Sequence, residues 1–279
     1  QAEDGIRDAQ ESRGLGDVYK RQGHEITSRS VIARYATRYV SPAGGNIYPY
    51  TNWMTAARTI QDAVDAALPG DVVMVSNGIY DTGGREAGGI WSRVVVTSSV
   101  WLVGSGAPTG VVIRGARDPS STNGLGPLAV RGIYLSAAGA LVSGLTVEGG
   151  RTRGEPVWQK AGFGGGVLID GYGTLSNCLV RENGAVFGGG CMVAAGTGAM
   201  VADCVLEDNW TPMAIPSYGG GLGMVRGRAA RCLVKGNKSY YGGGITTQAE
   251  SYESGMPVVE NCVIAVSYTH LTLPTIYSV

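Results

Sequence analysis

Histidine is almost missing from this sequence: His24 and His270 are the only two among 279 residues. His24 precedes the repeated part of the chain and His270 lies in an unusual terminal stretch, so catalysis by an imidazole is not expected in the body of the protein. Charged residues make up only 16% of the sequence and the formal net charge is zero, which argues against a nucleic-acid partner. No apolar run approaches the roughly 20 residues of a membrane-spanning helix.

The two ends of the chain differ in composition from everything between them. Residues 1–22 carry nine charges without an apolar period, and residues 266–279 contain no glycine, although the whole chain has 46. Both stretches resemble adapter-derived tails rather than parts of a natural protein. We therefore predict a single domain over residues 23–265, with a natural sequence that continues beyond residue 265.

The abundant glycine is concentrated in a motif that recurs four times. The copies are FGGGV (163–167), FGGGC (187–191), YGGGL (218–222) and YGGGI (241–245). A second motif follows in the copies NCLVREN (177–183), DCVLEDN (203–209), RCLVKGN (231–237) and NCVIA (261–265). Such self-similarity is typical of solenoid proteins. Each unit is predicted to contain a glycine-led strand, a turn, a second strand ending in asparagine, and a variable loop.

Alternation along these strands predicts columns of stacked side chains. The columns are Cys178, Cys204, Cys232 and Cys262; Asn183, Asn209 and Asn237; and Phe163, Phe187, Tyr218 and Tyr241. The cysteines are expected as buried free thiols, although stacking would also bring neighbouring Cα atoms within disulfide reach. The asparagines suit a turn and can hydrogen-bond from one coil to the next. The aromatic residues are predicted to stack at one corner.

Two other interpretations of the repeats are weaker. The spacing from Leu175 to Asn183 also fits a leucine-rich repeat, but that fold needs a helix or compact turn where this sequence predicts strand and turn. A phosphate-binding loop would lead from glycines into a helix, whereas these triplets lead into strands. The pattern therefore favours an all-β solenoid, in which the glycines allow tight turns.

The segment before the repeats predicts a short helix and a buried strand. Ile60, Ala63, Val64, Ala67 and Leu68 share one helix face, and Pro69-Gly70 follows as a stop signal. Residues 39–80, from YVSPAGGN to SNGIY, look like the N-terminal region of the pectin-lyase-like superfamily, and the repeats are similar to those of the same group. The resemblance implies a right-handed parallel β-helix with a short N-terminal capping α-helix. It also implies a secreted or cell-surface location and a polysaccharide partner.

The resemblance does not identify an active site. The Gly-His-Gly and Asp-Asp signatures of the polygalacturonase branch are absent. A lyase would combine clustered carboxylates, holding calcium, with a basic residue; the candidates are Asp170, Glu182, Asp203, Glu207 and Asp208 with Arg181, Arg231 and Lys235. The alternating signs of several of them instead favour ladders of surface charge. No cofactor is predicted, with calcium considered only for a lyase.

Aromatic residues in the variable loops are the remaining functional candidates. Trp158, Trp210 and Tyr240 offer flat faces for stacking on sugar rings, although they would equally well pack down over the coil edge. An outward apolar column, Leu179, Val205, Leu233 and Val263, requires cover by loops or by a partner. Three functions stay open: a polysaccharide-binding solenoid without a complete active site, a polysaccharide lyase or hydrolase, and a structural spacer or adhesin. The oligomeric state stays open as well.

Overall fold

The computed structural model describes residues 35–154, 159–248, 255–265 and 267–269. The chain divides into a unit of residues 1–35 and a unit of residues 36–279, and the fold belongs to the second. Within the described ranges this unit has one α-helix, α1 (Ile60–Ala66), and two 3-10 turns, Pro108–Gly110 and Lys160–Gly162; the remaining elements are strands. None of the helices described is long and apolar enough to cross a membrane.

The strands follow one another closely along the chain. In chain order they are β1 (Thr37–Val40), β2 (Val72–Val75), β3 (Gly78–Tyr80), β4 (Arg85–Ala87), β5 (Ile90–Val96), β6 (Trp101–Gly104), β7 (Val111–Arg114), β8 (Val130–Leu135), β9 (Leu141–Ser143), β10 (Thr146–Glu148), β11 (Val167–Asp170), β12 (Thr174–Ser176), β13 (Leu179–Arg181), β14 (Cys191–Ala195), β15 (Met200–Ala202), β16 (Val205–Glu207), β17 (Leu222–Met224), β18 (Arg228–Ala230), β19 (Leu233–Lys235), β20 (Lys238–Ser239), β21 (Ile245–Thr247), β22 (Val258–Glu260), β23 (Val263–Ala265) and β24 (Tyr268–Thr269).

Three long sheets contain nearly all of these strands. Sheet A has the order β1-β2-β6-β9-β12-β15-β18-β22, sheet B the order β23-β19-β16-β13-β10-β7-β3, and sheet C the order β21-β17-β14-β11-β8-β5-β4. From β5 onward the chain visits sheets C, A and B in turn, and each circuit pairs in parallel with the previous one. Parallel crossovers of this kind are right-handed. The predicted right-handed parallel β-helix is thereby confirmed.

The hydrophobic core lies inside the coils, where each sheet contributes one column or more of apolar side chains. Val167, Cys191 and Leu222 are in register in sheet C, and all three are buried. Sheet A contributes the buried column Leu175, Val201 and Ala229, and sheet B contributes Val180, Leu206 and Val234. Burying such columns away from water is the main stabilising contribution in a fold whose coils contact only their neighbours.

One part of the predicted unit was wrong. The sequence predicted a single second strand over residues 177–183, but the chain turns a corner at its start. β12 ends at Ser176 in sheet A and β13 begins at Leu179 in sheet B. Asn177 adopts a left-handed φ of 49°, which turns the chain between the two sheets. Each coil therefore has three strands rather than two.

The asparagine column lies inside the turn that follows sheet B, and Asn183, Asn209 and Asn237 are completely buried. Asn209 Oδ1 accepts hydrogen bonds from the backbone nitrogen and the amide nitrogen of Asn183, both at 3.0 Å. Asn209 Nδ2 donates to Val180 O at 2.9 Å and to Asn237 Oδ1 at 3.0 Å. These bonds satisfy polar groups of successive coils in the absence of water.

Helix α1 covers one end of the core. The side chain of Thr59 caps its first turn by accepting from Asp62 N at 3.2 Å. Gln61 is buried and pairs with the backbone of β5: Val95 N donates to Gln61 Oε1 at 2.7 Å, and Gln61 Nε2 donates to Val95 O at 3.2 Å. The helix thus protects a strand edge that would otherwise be unpaired. The predicted apolar face is too long by one residue, because Leu68 is exposed.

The five cysteines are free thiols, and four of them are buried. Burial raises the pKa of Cys191 well above its usual value. We expect a thiol reagent such as 5,5′-dithiobis(2-nitrobenzoate) to label at most the half-buried Cys262 in the native protein, because reaction requires an accessible thiolate. All five should react after unfolding in guanidinium chloride. Fast labelling of two or more cysteines in the native state would contradict the buried column.

Candidate functional site

A column of side chains runs along the outward face of sheet C. Register aligns Tyr134 with Leu168, Leu168 with Met192, and Met192 with Gly223. Leu168 and Met192 are buried even though they point away from the coil interior, because they belong to a second hydrophobic cluster. Loop residues such as Leu125 and Ile215 pack in the same cluster. Sheet C therefore carries covering structure outside the core.

Polar side chains meet at one part of this face, which we call the Asp170 cluster: Tyr134, Lys160 and Asp170. Tyr134 Oη donates to Asp170 Oδ2 at 2.7 Å, and Lys160 Nζ lies 2.7 Å from the same oxygen. The carboxylate is almost buried, with 5% of its side chain exposed, whereas 56% of the Lys160 side chain is exposed. The cluster thus presents a cation to solvent, held in place by a buried anion.

The proton of Tyr134 is firmly held. Burial, together with the hydrogen bond to Asp170, raises the pKa of Tyr134 to about 12. At neutral pH the side chain is therefore a hydrogen-bond donor, and it is not suited to act as a general base. Lys160 is the exposed cation of the cluster.

Arg131 lies beside this cluster and is completely buried. Its guanidinium donates to Lys160 O at 2.6 Å, to Phe163 O at 3.0 Å and to Ala87 O at 3.0 Å. Burial lowers the pKa of Arg131 to about 9, so the side chain remains charged at neutral pH. Its hydrogen bonds connect the 3-10 turn that carries Lys160 to sheet C. Arg131 therefore fixes the position of Lys160 without contacting solvent.

The aromatic column lies at the corner where the chain enters sheet C. Phe163 meets Phe187 edge-on with ring centroids 5.5 Å apart. Phe187 stacks on Tyr218 at 5.6 Å, and Tyr218 stacks on Tyr241 at 5.1 Å. A shallow indentation between this column and Met192 has a volume of about 10 Å³, room for about one water molecule. It is smaller than most small-molecule pockets, so an extended ligand lying along the face is the better match.

Most charged candidates from the sequence lie away from the Asp170 cluster. Sheet B carries Arg181 paired with Glu148 at 2.8 Å and Lys235 paired with Glu207 at 3.0 Å, as a ladder of alternating sign. Arg231 forms a two-bond pair with Asp203 at the next corner. Glu182 and Asp208 adopt left-handed φ values of 55° and 53° after sheet B. These candidates therefore form ion pairs on the surface or occupy turns of the coil.

Asp170 is the one of these candidates that belongs to the Asp170 cluster. The sequence did not indicate its two partners, Tyr134 and Lys160. Tyr134 comes from the coil before it, and Lys160 from the loop WQKAGF, where the sequence drew attention only to aromatic residues. No residue spacing predicts this meeting, because the register between coils creates it. The residues that the structure describes contain no group of three or more His, Cys, Asp or Glu side chains placed to hold a metal ion.

Two of the three predicted sugar-stacking residues, Trp210 and Tyr240, lie in the described part of the chain. Trp158 lies outside the described residues. Trp210 is half-buried: Arg151 lies 5.3 Å above its ring, and a side chain at Gly184 would collide with its indole. Tyr240 packs edge-on against Tyr241, with centroids 4.6 Å apart. Trp210 and Tyr240 thus pack along the coil edge.

The outward apolar column of sheet B is continuous. Leu179, Val205, Leu233 and Val263 are in register from β13 to β23. The first three are half-buried, and Val263 is exposed. The charged ladder of Arg181, Glu207 and Lys235 lies beside this column on the same face, which limits its apolar width.

Comparisons with known proteins concern the fold. No family model and no curated protein sequence matches the chain. The chain is similar to the pectin methylesterase from Aspergillus niger, with 16% identity and a TM-score of 0.53 over 86% of this chain and 70% of that one. It also aligns with pectin methylesterase PemA from Erwinia chrysanthemi (16% identity, TM-score 0.37, 75% of this chain and 53% of that one). A third alignment is with pectate lyase Pel9A (15% identity, TM-score 0.35, 85% and 80%). The likeness to the Aspergillus niger protein shows the parallel β-helix fold that the sequence predicts.

Proposed function

We propose that this protein binds polysaccharide at the Asp170 cluster, beside the loops that cover the outward face of sheet C, outside the cell or at its surface. The observation that carries the proposal is the Asp170 cluster, in which an exposed lysine is held by a buried carboxylate beside the aromatic column. A polysaccharide chain offers hydroxyl and carboxylate groups for Lys160 and flat C–H faces for Tyr241, the exposed ring at the end of the aromatic column. The long parallel stack of coils suits a repeating ligand better than a compact one.

The composition of the Asp170 cluster supports binding more directly than catalysis. Hydrolysis of a glycosidic bond generally uses two carboxyl groups on opposite sides of the bond. Among the described residues that form the cluster, Asp170 is the single carboxylate, and it is engaged by both Lys160 and Tyr134. The fold alone does not decide the question, since related architectures host many functions.

A polysaccharide lyase is the second candidate. Lys160 and Tyr134 contact the same oxygen of Asp170, so an amine and a hydroxyl are available side by side for proton transfer. Formation of unsaturated product from uronic-acid polymers, followed by ultraviolet absorbance, would favour this candidate over binding alone.

Replacement of Lys160 by alanine tests the proposed site. We expect the affinity for a bound polysaccharide to fall about 10- to 100-fold, because a hydrogen bond to a charged group contributes roughly 1.5–3 kcal/mol. A glycan array identifies the ligand, and isothermal titration calorimetry measures its affinity for each variant.

Lys235→Ala is the matched control, because Lys235 is also an exposed lysine paired with a carboxylate, but on sheet B. It should bind like the unaltered protein. Trp210→Ala tests the alternative position in the loops. Loss of affinity with Trp210→Ala and not with Lys160→Ala would move the site away from sheet C, and equal losses with both lysine variants would contradict the proposal.

A further inference from the structure

A second surface lies far along the chain from the Asp170 cluster, in residues 47–54, which we call the aromatic loop. Its sequence is IYPYTNWM. Tyr48 is 71% exposed and Trp53 is 44% exposed, and the flanking Ile47 and Met54 are exposed as well. Single exposed apolar residues are normal on protein surfaces, but a group of four on one short loop is not.

Backbone hydrogen bonds hold this loop in one conformation. Ile47 N donates to Thr55 O at 3.0 Å, and Gly45 N donates to Met54 O at 2.9 Å, so the two ends of the loop pair with each other. Tyr39 N donates to Tyr50 O at 2.8 Å, which attaches the middle of the loop to β1. A side chain at Gly44 would collide with the carbonyl oxygen of Ala56. The aromatic rings are therefore displayed with little entropy left to lose on binding.

The loop also contains backbone strain. Tyr50 has a φ of 63°, a left-handed conformation that is rare for an aromatic residue. Such strain is found preferentially at ligand sites, where the surrounding structure enforces it. Tyr39 supports Trp53 from the side, with ring centroids 4.6 Å apart and an interplanar angle of 65°. Trp53 thus keeps part of its ring exposed while its orientation is fixed.

Charge and size indicate what this loop would bind. The loop itself contains no charged residue, and Arg38, which lies 3.5 Å from Pro49 O, is neutralised by its ion pair with the buried Asp71. A neutral ligand therefore suits the loop. A stable protein partner would need about 20–30 residues on each side, far more than the eight of the loop, whereas one or two aromatic rings suffice to stack on a sugar ring.

We propose that the aromatic loop is a second carbohydrate-binding site, which stacks Tyr48 and Trp53 on uncharged sugar rings of a polysaccharide. Asn52 is an exposed polar residue at the same place, and its side-chain oxygen accepts a hydrogen bond from Thr55 N at 3.0 Å. The site is independent of the Asp170 cluster and does not rest on the function proposed for sheet C.

Titration with neutral and acidic oligosaccharides tests this site. The probes are cellohexaose, xylohexaose and mannohexaose, with oligogalacturonate as the acidic comparison, and tryptophan fluorescence and calorimetry report binding. We expect at least one neutral probe to bind, and Trp53→Ala and Tyr48→Ala each to lower its affinity about tenfold. Lys235→Ala should leave the affinity for the neutral probe unchanged, because Lys235 is paired with Glu207 on sheet B, outside both proposed sites.

Trp101→Ala is the matched control, because Trp101 is a 49% exposed tryptophan on β6, two strands from β1 in sheet A and outside the loop. It should not change the affinity for the neutral probe. Failure of all three neutral probes to bind would overturn the proposal, as would an affinity unchanged in Trp53→Ala. A dimer that dissociates in Trp53→Ala, seen by sedimentation, would also overturn it by making the loop a contact between copies of the chain.

Discussion

Asn209→Ala is expected to lower the free energy of unfolding by about 4 kcal/mol. The Asn209 side chain makes four hydrogen bonds inside the protein: with the backbone and the amide nitrogen of Asn183, with Val180 O and with Asn237 Oδ1. Alanine leaves these partners unpaired in a place without water, and each buried unpaired group costs about 1–3 kcal/mol. Urea unfolding followed by circular dichroism measures the change.

The neighbouring residue provides the control for this prediction. Asp208 is exposed and has a left-handed φ of 53°, a conformation that asparagine also tolerates. Asp208→Asn should change the unfolding free energy by less than about 0.5 kcal/mol. If Asn209→Ala unfolds at the same urea concentration as the unaltered protein, the buried amide column is not a stabilising element of the fold.

Arg131→Met is expected to have the second largest effect, a loss of about 3 kcal/mol in unfolding free energy. Methionine fills much of the space but donates no hydrogen bond, so the carbonyl groups of Lys160, Phe163 and Ala87 lose their buried partner. The 3-10 turn that carries Lys160 also loses its anchor. The variant should therefore bind the sheet C ligand less tightly even at temperatures where it is fully folded.

Two measurements separate these effects of Arg131. Thermal unfolding reports the stability, and calorimetry well below the melting temperature reports the affinity. Arg228→Met is the control, because Arg228 is an exposed arginine paired with Glu260, and such pairs contribute at most about 1 kcal/mol. An Arg131→Met protein with unchanged stability and affinity would show that the buried guanidinium positions nothing.

Much of the fold followed from the alternation of residues, and the reason is local. Val180, Leu206 and Val234 recur at corresponding places in their motifs, so strand periodicity predicts an inward column wherever the coils stack. The sequence did signal the corner at Asn177, but the signal was not used. Leu175, Cys178 and Val180 all point inward, and a spacing of three residues followed by two departs from the strict alternation of a single strand. In the structure, Asn177 adopts a left-handed conformation between the two strands, and this turn produces the spacing.

The Asp170 cluster was less predictable because its members come from different coils. Asp170 was a candidate from its charge alone, but Tyr134 precedes it by 36 residues and meets it only through the register of β8 with β11. Lys160 reaches it from a loop whose course the sequence does not determine. Nothing in the sequence indicated that Arg131 is buried, because arginine side chains are rarely buried.

The asparagine column also gives the coil stack a direction. The backbone N–H of Asn183 donates to Asn209 Oδ1, and that of Asn209 donates to Asn237 Oδ1. The acceptor for each coil is thus supplied by the next coil along the chain. During synthesis from the N-terminus, the newest coil therefore stays incomplete until its successor leaves the ribosome. We therefore expect the asparagine of the newest coil to keep its backbone N–H without this acceptor until the next coil stacks on it.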